Sequence, residues 1–210
     1  MTFFHKTDFA FSETASQWIL DRYEERFNRK FFHDLDVTQY EYQNEWQNSL
    51  AGQELKQFLS KYNCDTSYYG INVFVSNMPY AIKSNPHMDA KFSKGNAYKI
   101  KSRFNVMVRG NPQDPMVWWG NMEYGDSRLV DWKFHSITGQ EYVSKAIPGS
   151  NPEERWEYLK EPTLSVPNLL TPSAFVKTDC VHAVVLSEGP RLIVTVAIDK
   201  SVDEIIKPLD

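Results

Sequence analysis

Three side chains that can bind metal ions stand in a suggestive order along this chain. His87 and Asp89 are separated only by Met88, and His182 follows much later. In an extended or turn segment, residues i and i+2 project to the same side, so His87 and Asp89 can reach one ion while Met88 points away. Two imidazoles and one carboxylate cover one face of a six-coordinate ion and leave the other face open, as in non-haem ferrous sites. The spacing therefore predicts a mononuclear metal site.

An arginine follows the second histidine at a telling distance. His182 lies in the β-branched run Val181–Leu186, a turn at residues 187–190 comes next, and Arg191 opens another apolar strand. If the two strands pair, Arg191 can face the same cavity as His182 and hold a carboxylate through two parallel hydrogen bonds. A lone His-x-Asp usually marks a solvated loop. The combination of His-x-Asp with a later strand histidine, a turn and an arginine arises by chance much less often.

Two helices are predicted before residue 65, and they would support the site from one side. The first runs from Ser12 to about Phe32, with Ser12 as its N-cap and Glu13 in its first turn. The second runs from about Asn44 to Tyr62. Their apolar and aromatic residues recur at helical intervals, and core packing is the simplest interpretation of both stripes. In the first helix these are Trp18, Ile19, Tyr23, Phe27 and Phe31.

After residue 65 the hydrophobic period changes to that of short strands broken by turn residues. The predicted strands are Tyr69–Ser76, Tyr98–Arg109, Met116–Trp119, Leu129–Phe134, Glu141–Ala146, Ala174–Lys177, Val181–Leu186 and Arg191–Asp199, with one or two helical turns at Pro152–Leu159. Many strands without intervening helices favour an antiparallel barrel or double-sheet jelly roll, cupin-like in form, over a parallel sheet. We therefore predict an α+β fold whose N-terminal helices pack on one sheet.

Length and composition fit a single folded domain. The chain has 210 residues, a formal net charge of -4 and scattered charges, so neither nucleic acid nor a membrane surface is an expected partner. Cys64 and Cys180 are too few and too far apart to encode a disulfide framework or a structural zinc site. No long apolar stretch predicts a leader or a membrane span, and we expect a cytoplasmic protein. The expected division is a helical part over residues 1–65 and a β-barrel core over 66–210.

The motifs resemble those of the Fe(II)/2-oxoglutarate-dependent dioxygenase superfamily over about the last two thirds of the chain. The resemblance lies in residues 86–89 (PHMD), 175–184 (FVKTDCVHAV) and 189–192 (GPRL). It implies a double-stranded β-helix in which His87, Asp89 and His182 bind Fe(II), while Arg191 binds the distal carboxylate of the co-substrate 2-oxoglutarate. A hydroxylase that uses molecular oxygen would follow from it.

A second contact to 2-oxoglutarate has several candidates. The segment 102–108 (SRFNVMV) is similar to a strand beside the co-substrate in the aspartyl/asparaginyl hydroxylase group, and alternation puts Arg103 and Asn105 on one of its faces. A solvated sheet face explains the same alternation equally well. The chain has Ile193 where some members carry a hydroxyl residue, so Thr195, Arg103 or Tyr98 could supply the second hydrogen bond. Some of that hydroxylase group also lack the carboxylate that Asp89 offers, so the superfamily fits better than this branch.

A long segment over residues 112–163 is predicted to be an insertion in the barrel. It could form a pocket lid or stacking surface, although internal packing of the insertion is the slightly better interpretation. His135 has no partner at metal-ligand spacing and is expected to be an ordinary polar residue. The aromatic and histidine residues of this segment that the interpretation concerns are Trp118, Trp119, Tyr124, Trp132, His135, Tyr142 and Trp156.

The resemblance thus implies an Fe(II)- and 2-oxoglutarate-dependent oxygenase, which we expect to act on an amino acid, a protein side chain or a small metabolite. A cupin-type metal-dependent isomerase or binding barrel could use the same ligands with another divalent ion, and Arg191 would then bind substrate. A non-catalytic domain with a degenerate barrel is a third possibility, and the intact set of His87, Asp89, His182 and Arg191 argues against it.

Overall fold

Helices and antiparallel strands together form an α+β protein in the computed structural model, which describes residues 1–27, 33–36, 40–64, 71–89, 91–92, 100–123, 125–135, 141–167 and 172–208. The helices are α1 (Glu13–Phe27), α2 (Tyr40–Asn48), α3 (Leu50–Leu59), α4 (Pro152–Leu159) and α5 (Val202–Ile205). The strands are β1 (Phe4–Thr7), β2 (His33–Asp36), β3 (Ile71–Met78), β4 (Ile82–Lys83), β5 (Lys91–Phe92), β6 (Ser102–Arg109), β7 (Pro115–Glu123), β8 (Val130–His135), β9 (Glu141–Ala146), β10 (Leu164–Pro167), β11 (Ser173–Lys177), β12 (Cys180–Leu186) and β13 (Gly189–Ile198).

The strands form one large sheet and two smaller ones. The six-stranded sheet has the order β1-β11-β6-β13-β3-β2, the four-stranded sheet β10-β7-β12-β4, and the three-stranded sheet β5-β9-β8. Arg191 thus lies in the large sheet, whereas His182 lies on β12 of the four-stranded sheet. The backbone of His87 bridges both Ala146 at the end of β9 and His182, so it links the two smaller sheets.

The N-terminal helices cover one face of the large sheet, as the sequence predicts. Alternate residues of β13 point to this face and pack with residues from β3, β6, α1 and α3. Each fully buried side chain of this size contributes about 1.5 to 3 kcal/mol of hydrophobic stabilisation, so this layer anchors the sheet. Buried members of this cluster are Ile19, Tyr23, Leu55, Val73, Val75, Phe104, Val106, Leu192, Val194, Val196 and Ile198.

The other face of the large sheet looks towards the four-stranded sheet. Ile193, on the opposite face of β13 from Leu192, packs in a cluster with Cys180 and Val184 of β12. Arg191 and Thr195 are two residues away from Ile193 on either side, so they share its face. The space between these two sheets, called the inter-sheet space below, therefore receives side chains from both β12 and β13.

Helix α1 begins where its capping sequence predicts. The hydroxyl of Ser12 accepts a hydrogen bond from the backbone N–H of Ala15 at 3.2 Å, and Glu13 lies in the first turn. A cap of this kind contributes about 1 kcal/mol because it satisfies a backbone donor that has no partner inside the helix. The predicted end of the helix at Phe31 and Phe32 lies outside the described residues.

The single helix predicted from Asn44 to Tyr62 is wrong, because the chain forms α2 and α3 with a break at Ser49. The Ser49 hydroxyl accepts from Gly52 N–H and caps α3. A β-carbon at residue 52 would stand 1.8 Å from the carbonyl oxygen of Trp46, so only glycine allows the two helices to approach this closely. A continuous apolar stripe does not reveal such a turn.

Most predicted strands occur, with ends displaced by a few residues. The range Glu141–Ala146 coincides with β9, while the starts predicted at Tyr69 and Tyr98 lie outside the described residues. Strands β1, β2, β4, β5 and β10 were not predicted. The first of these, β1, lies in the part predicted to be helical, and its short FHKT sequence has no clear alternation to mark it.

The segment predicted as an insertion contributes directly to the sheets. Strand β7 pairs with β10 on one side and with β12 on the other, so it supports the strand that carries His182. The predicted helical turns at Pro152–Leu159 form α4, whose N-cap Asn151 accepts from Glu154 N–H. Within the described part of the chain, no helix combines the length and apolar character needed to cross a lipid bilayer.

Candidate functional site

The backbone fixes the three predicted ligands relative to one another. His87 and His182 exchange two hydrogen bonds, N–H to O=C, at 3.0 and 2.9 Å. The N–H of Met88 donates to Lys145 O at 2.8 Å, and that of Asp89 donates to Thr178 O at 3.0 Å. Three consecutive residues are thus held by neighbouring chain segments, which limits how far their side chains can drift apart.

Side chains of the three predicted metal ligands converge. One candidate ligand atom from each of His87, Asp89 and His182 lies within 4.8 Å of the others. Met88 turns away and is buried in an apolar cluster with Ile147 and Val181. This is the arrangement that the i, i+2 spacing predicts for an extended segment.

Both imidazoles have their orientation set by backbone carbonyls. Nδ1 of His87 lies 2.7 Å from Asn85 O, and Nδ1 of His182 lies 3.0 Å from Cys180 O. A carbonyl only accepts hydrogen bonds, so each Nδ1 carries the proton and each Nε2 keeps its lone pair. Such a carbonyl partner is the usual companion of a metal-binding histidine. The donor set fits a divalent ion.

The electrostatics of the group favour its metal-binding protonation state. Burial lowers the pKa of His87 and that of His182, the latter to about 4, where the neighbouring His87 adds to the effect. Burial would raise the pKa of Asp89, but Arg103 and the two histidines hold it at about 2. At neutral pH the group therefore consists of two neutral imidazoles and a carboxylate, the forms that coordinate metal ions.

Arg103 lies beside the carboxylate of this group. Its Nε donates to Asp89 Oδ2 at 2.7 Å, and its Nη1 donates to Asn72 Oδ1 at 3.1 Å. The ion pair is largely withdrawn from solvent, since the Arg103 and Asp89 side chains are 13% and 7% exposed. Alternation on β6 had pointed to Arg103, whereas Asn72 was missed, although alternation on β3 puts it on the same face.

Arg191 and Thr195 bring unsatisfied polar atoms into the inter-sheet space. Arg191 is 9% exposed, and its Nε has no hydrogen-bond partner in the described part of the chain; the same holds for Oγ1 of the fully buried Thr195. Burial lowers the pKa of Arg191 to about 10, against the attraction of Asp114, so the guanidinium stays charged at neutral pH. A buried cation of this kind fits a carboxylate ligand, which would accept from it in a bidentate way.

The remaining candidates for a second carboxylate contact are placed differently. Asn105 is the cross-strand partner of Thr195, so both belong to the same part of the sheet. Arg103 already donates to Asp89 and Asn72, as described above. Tyr98 lies outside the described residues. Among these candidates Thr195 has a hydroxyl without a hydrogen-bond partner among the described residues.

Helix α4 forms hydrogen bonds to the segment that precedes His87, and the sequence did not reveal these contacts. Arg155 Nη1 donates to Asn85 Oδ1 at 2.8 Å, and Trp156 Nε1 donates to Ser84 O at 2.9 Å. Asn85 is also the residue whose carbonyl orients His87. The segment 112–163 therefore helps to position a predicted ligand in addition to packing internally.

The aromatic residues predicted as a lid or stacking surface have diverse positions. Trp118 and Trp119 are buried on opposite faces of β7, and Trp132 packs edge-on against His87 with ring centroids 5.6 Å apart. Tyr124 lies outside the described residues, and His135 and Tyr142 are described only as members of β8 and β9. Trp132 thus forms part of the wall beside the candidate metal ligands.

Comparisons with known proteins give weak likenesses. No protein-family model and no curated protein sequence matches the chain. Among solved structures, the viral collagen prolyl hydroxylase of Paramecium bursaria Chlorella virus 1, solved as a 2-oxoglutarate complex, has a TM-score of 0.41 and 11% identity, over 94% of this chain and 95% of that one. A prolyl 4-hydroxylase from Phytophthora capsici has a TM-score of 0.40 and 16% identity, over 88% of this chain and 53%, about half, of that one. Scores this low place the chain in neither protein's family, so the case for its function rests on its own residues.

Proposed function

We propose that this chain is an Fe(II)- and 2-oxoglutarate-dependent oxygenase built on a double-stranded β-helix. One observation carries the proposal. The largely buried group of His87, Asp89 and His182 lies beside an inter-sheet space that also receives Arg191 and Thr195, whose Nε and Oγ1 have no partner among the described residues. A metal-binding face beside an unsatisfied carboxylate-binding cation is what this chemistry requires.

The roles of the ligands follow from their hydrogen bonds. His87 and His182 would offer Nε2, because each Nδ1 is engaged with a backbone carbonyl, and Asp89 would offer the oxygen that Arg103 does not hold. A ferrous ion held there, when bound, supplies a reaction in which 2-oxoglutarate, O₂ and a substrate C–H bond give succinate, CO₂ and an alcohol.

Arg191 would hold the distal carboxylate of 2-oxoglutarate. A carboxylate can accept two parallel hydrogen bonds from a guanidinium, and it would satisfy the buried Nε, which has no partner among the residues that the structure describes. Thr195 Oγ1 is the second donor that we favour, since Arg103 is already engaged with Asp89 and Asn72. Asn105, the cross-strand neighbour of Thr195, remains a further candidate.

The oxidised molecule is proposed to be an amino acid, a protein side chain or a small metabolite. The partner molecules are then this substrate, 2-oxoglutarate and O₂. The class can be found by incubating the protein, Fe(II) and 2-oxoglutarate with metabolite and peptide libraries and searching by mass spectrometry for the gain of one oxygen atom.

Succinate formation tests the proposed chemistry directly. We expect succinate only when Fe(II), 2-oxoglutarate and O₂ are all present, and none from His182→Ala, which removes one of three ligands. His5→Ala is the matched control, since His5 lies on β1 at the edge of the large sheet. Metal binding without any dependence on 2-oxoglutarate would instead support a cupin-type isomerase or binding barrel. Unchanged succinate formation in His182→Ala would refute the metal assignment.

A further inference from the structure

Asp89 carries two carboxylate oxygens, and one of them is already taken. Oδ2 accepts a hydrogen bond from Arg103 Nε at 2.7 Å, in an ion pair of which both side chains are mostly buried. The histidines face the same carboxylate, since their candidate ligand atoms and that of Asp89 lie within 4.8 Å of one another. A metal ion in this group would therefore meet a carboxylate with one engaged oxygen, Oδ2, and a second oxygen, Oδ1, that Arg103 Nε does not hold.

Arg103 is itself held in a fixed direction. Its Nη1 donates to Asn72 Oδ1 at 3.1 Å, while β6 is paired with β11 and β13 at this point, opposite Val176 and Ala197. A guanidinium is planar, so fixing two of its N–H directions fixes the plane in which Asp89 is held. Two hydrogen bonds thus connect Asn72, Arg103 and Asp89, the last of which is a candidate metal ligand.

We infer that Arg103 is a positioning residue that keeps Asp89 to a single coordinating oxygen. The inference rests on the proposed metal site and assigns to Arg103 a role different from contact with 2-oxoglutarate. A carboxylate without such a partner can turn and bind an ion through both oxygens. That mode would occupy a position which the open face of a two-histidine, one-carboxylate site has to keep free.

The alternative is that Arg103 matters only through its positive charge, and the two ideas predict opposite results. A cation so near a metal ion repels it, so simple removal of charge would tighten metal binding. Loss of a positioning partner weakens it, since mutation of such partners typically costs about 10- to 100-fold in metal affinity or activity. The sign of the change therefore separates a positioning role from a purely electrostatic one.

The measurement is the affinity for Mn²⁺. It is monitored by the electron paramagnetic resonance signal of Mn²⁺ in the absence of oxygen and 2-oxoglutarate. We expect Arg103→Met to weaken binding by about 10-fold or more. Arg103→Lys keeps the charge but cannot reach both partners with fixed geometry, so it should also weaken binding. Asn72→Ala should weaken it less, because the ion pair itself remains. The spectrum of bound Co²⁺ should change in Arg103→Met, reporting an altered coordination of the ion.

Arg128→Met is the matched control, because it breaks another Arg–Asp pair, with Asp126, that has no hydrogen bond to the three ligands. Its Mn²⁺ affinity should equal that of the wild type. Wild-type or tighter binding in Arg103→Met and Arg103→Lys would overturn the positioning role while leaving the metal site intact. Should Arg103→Met fail to fold, Arg103→Lys and Asn72→Ala decide by the same criterion. If the wild type and His182→Ala bind Mn²⁺ equally, the metal site itself is refuted, and the positioning role with it.

Discussion

Two buried arginines stand on the same face of the large sheet, and they differ in what satisfies them. Arg103, on β6, donates to the carboxylate of Asp89 and to the amide oxygen of Asn72. Arg191, on the adjacent strand β13, is equally withdrawn from solvent, yet its Nε has no hydrogen-bond partner in the described part of the chain. A buried donor without a hydrogen-bond partner is costly to folding, so the difference needs a functional explanation.

Arg103 pairs with a carboxylate of the protein itself, whereas Arg191 is proposed to pair with the carboxylate of a ligand. At the Arg103 end the protein provides its own carboxylate, and the result is a fixed candidate ligand. At the Arg191 end, under the proposed function, the carboxylate arrives with 2-oxoglutarate. Removing each arginine should therefore have opposite consequences for the protein without ligands.

Loss of the internally satisfied arginine should have the largest effect on stability. Arg103→Met leaves the Asp89 carboxylate buried without its cation, and breaking a buried ion pair in this way typically costs about 3 to 5 kcal/mol. We expect the free energy of unfolding of the metal-free protein, from urea titration, to fall by that order. A double change, Arg103→Met with Asp89→Leu, should recover much of the loss because no charge is then left behind.

The exposed pair between Arg128 and Asp126 provides the scale for this measurement. Both residues lie nearer the surface, with side chains 39% and 18% exposed, and solvent screens surface pairs so that they contribute little to stability. Arg128→Met should thus change the unfolding midpoint little. Equal losses in Arg103→Met and Arg128→Met would contradict the view that burial makes the first pair special.

Sequence reasoning finds the parts of this contrast that depend on local pattern. The i, i+2 spacing predicted the convergence of His87 and Asp89. The alternation of β6 placed Arg103 on the face of the sheet that Phe104 does not share. These features need only the two-residue period of a strand. The order of histidine strand, turn and arginine predicted that the two strands pair, and this is wrong, because β12 and β13 lie in different sheets and their side chains meet only across the inter-sheet space.

Other features depend on contacts between distant segments. The partner of Arg103 could not be read from the sequence, because Asp89 and Asn72 reach it from elsewhere in the chain. The hydrogen bond from Arg155 to Asn85 likewise joins segments that are far apart in the sequence. The break at Ser49 turns on a close approach of two backbones that only Gly52 permits. Each needs the register of elements in three dimensions, which a hydrophobic pattern does not encode.

Loss of the externally satisfied arginine should affect ligand binding before stability. Truncating one partner of a buried charged hydrogen bond typically costs about 2 kcal/mol or more, so Arg191→Met should raise the Kd of 2-oxoglutarate about 30-fold or more. The measurement is calorimetric titration of the Mn²⁺-loaded protein, in which no turnover occurs. Mn²⁺ affinity itself should stay at the wild-type value.

The same variant tests the contrast without any ligand. Methionine removes a buried cation whose Nε has no partner among the described residues and loses only the attraction of Asp114, so the free energy of unfolding of Arg191→Met should be unchanged or higher than that of the wild type. Arg109→Met, at an exposed position on the neighbouring strand, controls for the removal of any nearby positive charge. A marked loss of stability in Arg191→Met would mean that this arginine, like Arg103, serves the fold.

A smaller and more specific change at the external end is Thr195→Val, which removes a hydroxyl and nearly preserves shape. Thr195 Oγ1 is buried without a partner among the described residues, so its removal should raise the free energy of unfolding by about 1 kcal/mol. If the hydroxyl donates to 2-oxoglutarate, the Kd should rise about 5-fold, as loss of one ordinary hydrogen bond predicts. Thr195→Ser should do the reverse, keeping affinity while losing some stability through the missing methyl group. We thus expect Thr195→Val to lose affinity and gain stability, and Thr195→Ser to keep affinity and lose stability. A similar loss of affinity in both variants would assign the second contact to another residue and leave the role of Arg191 unchanged.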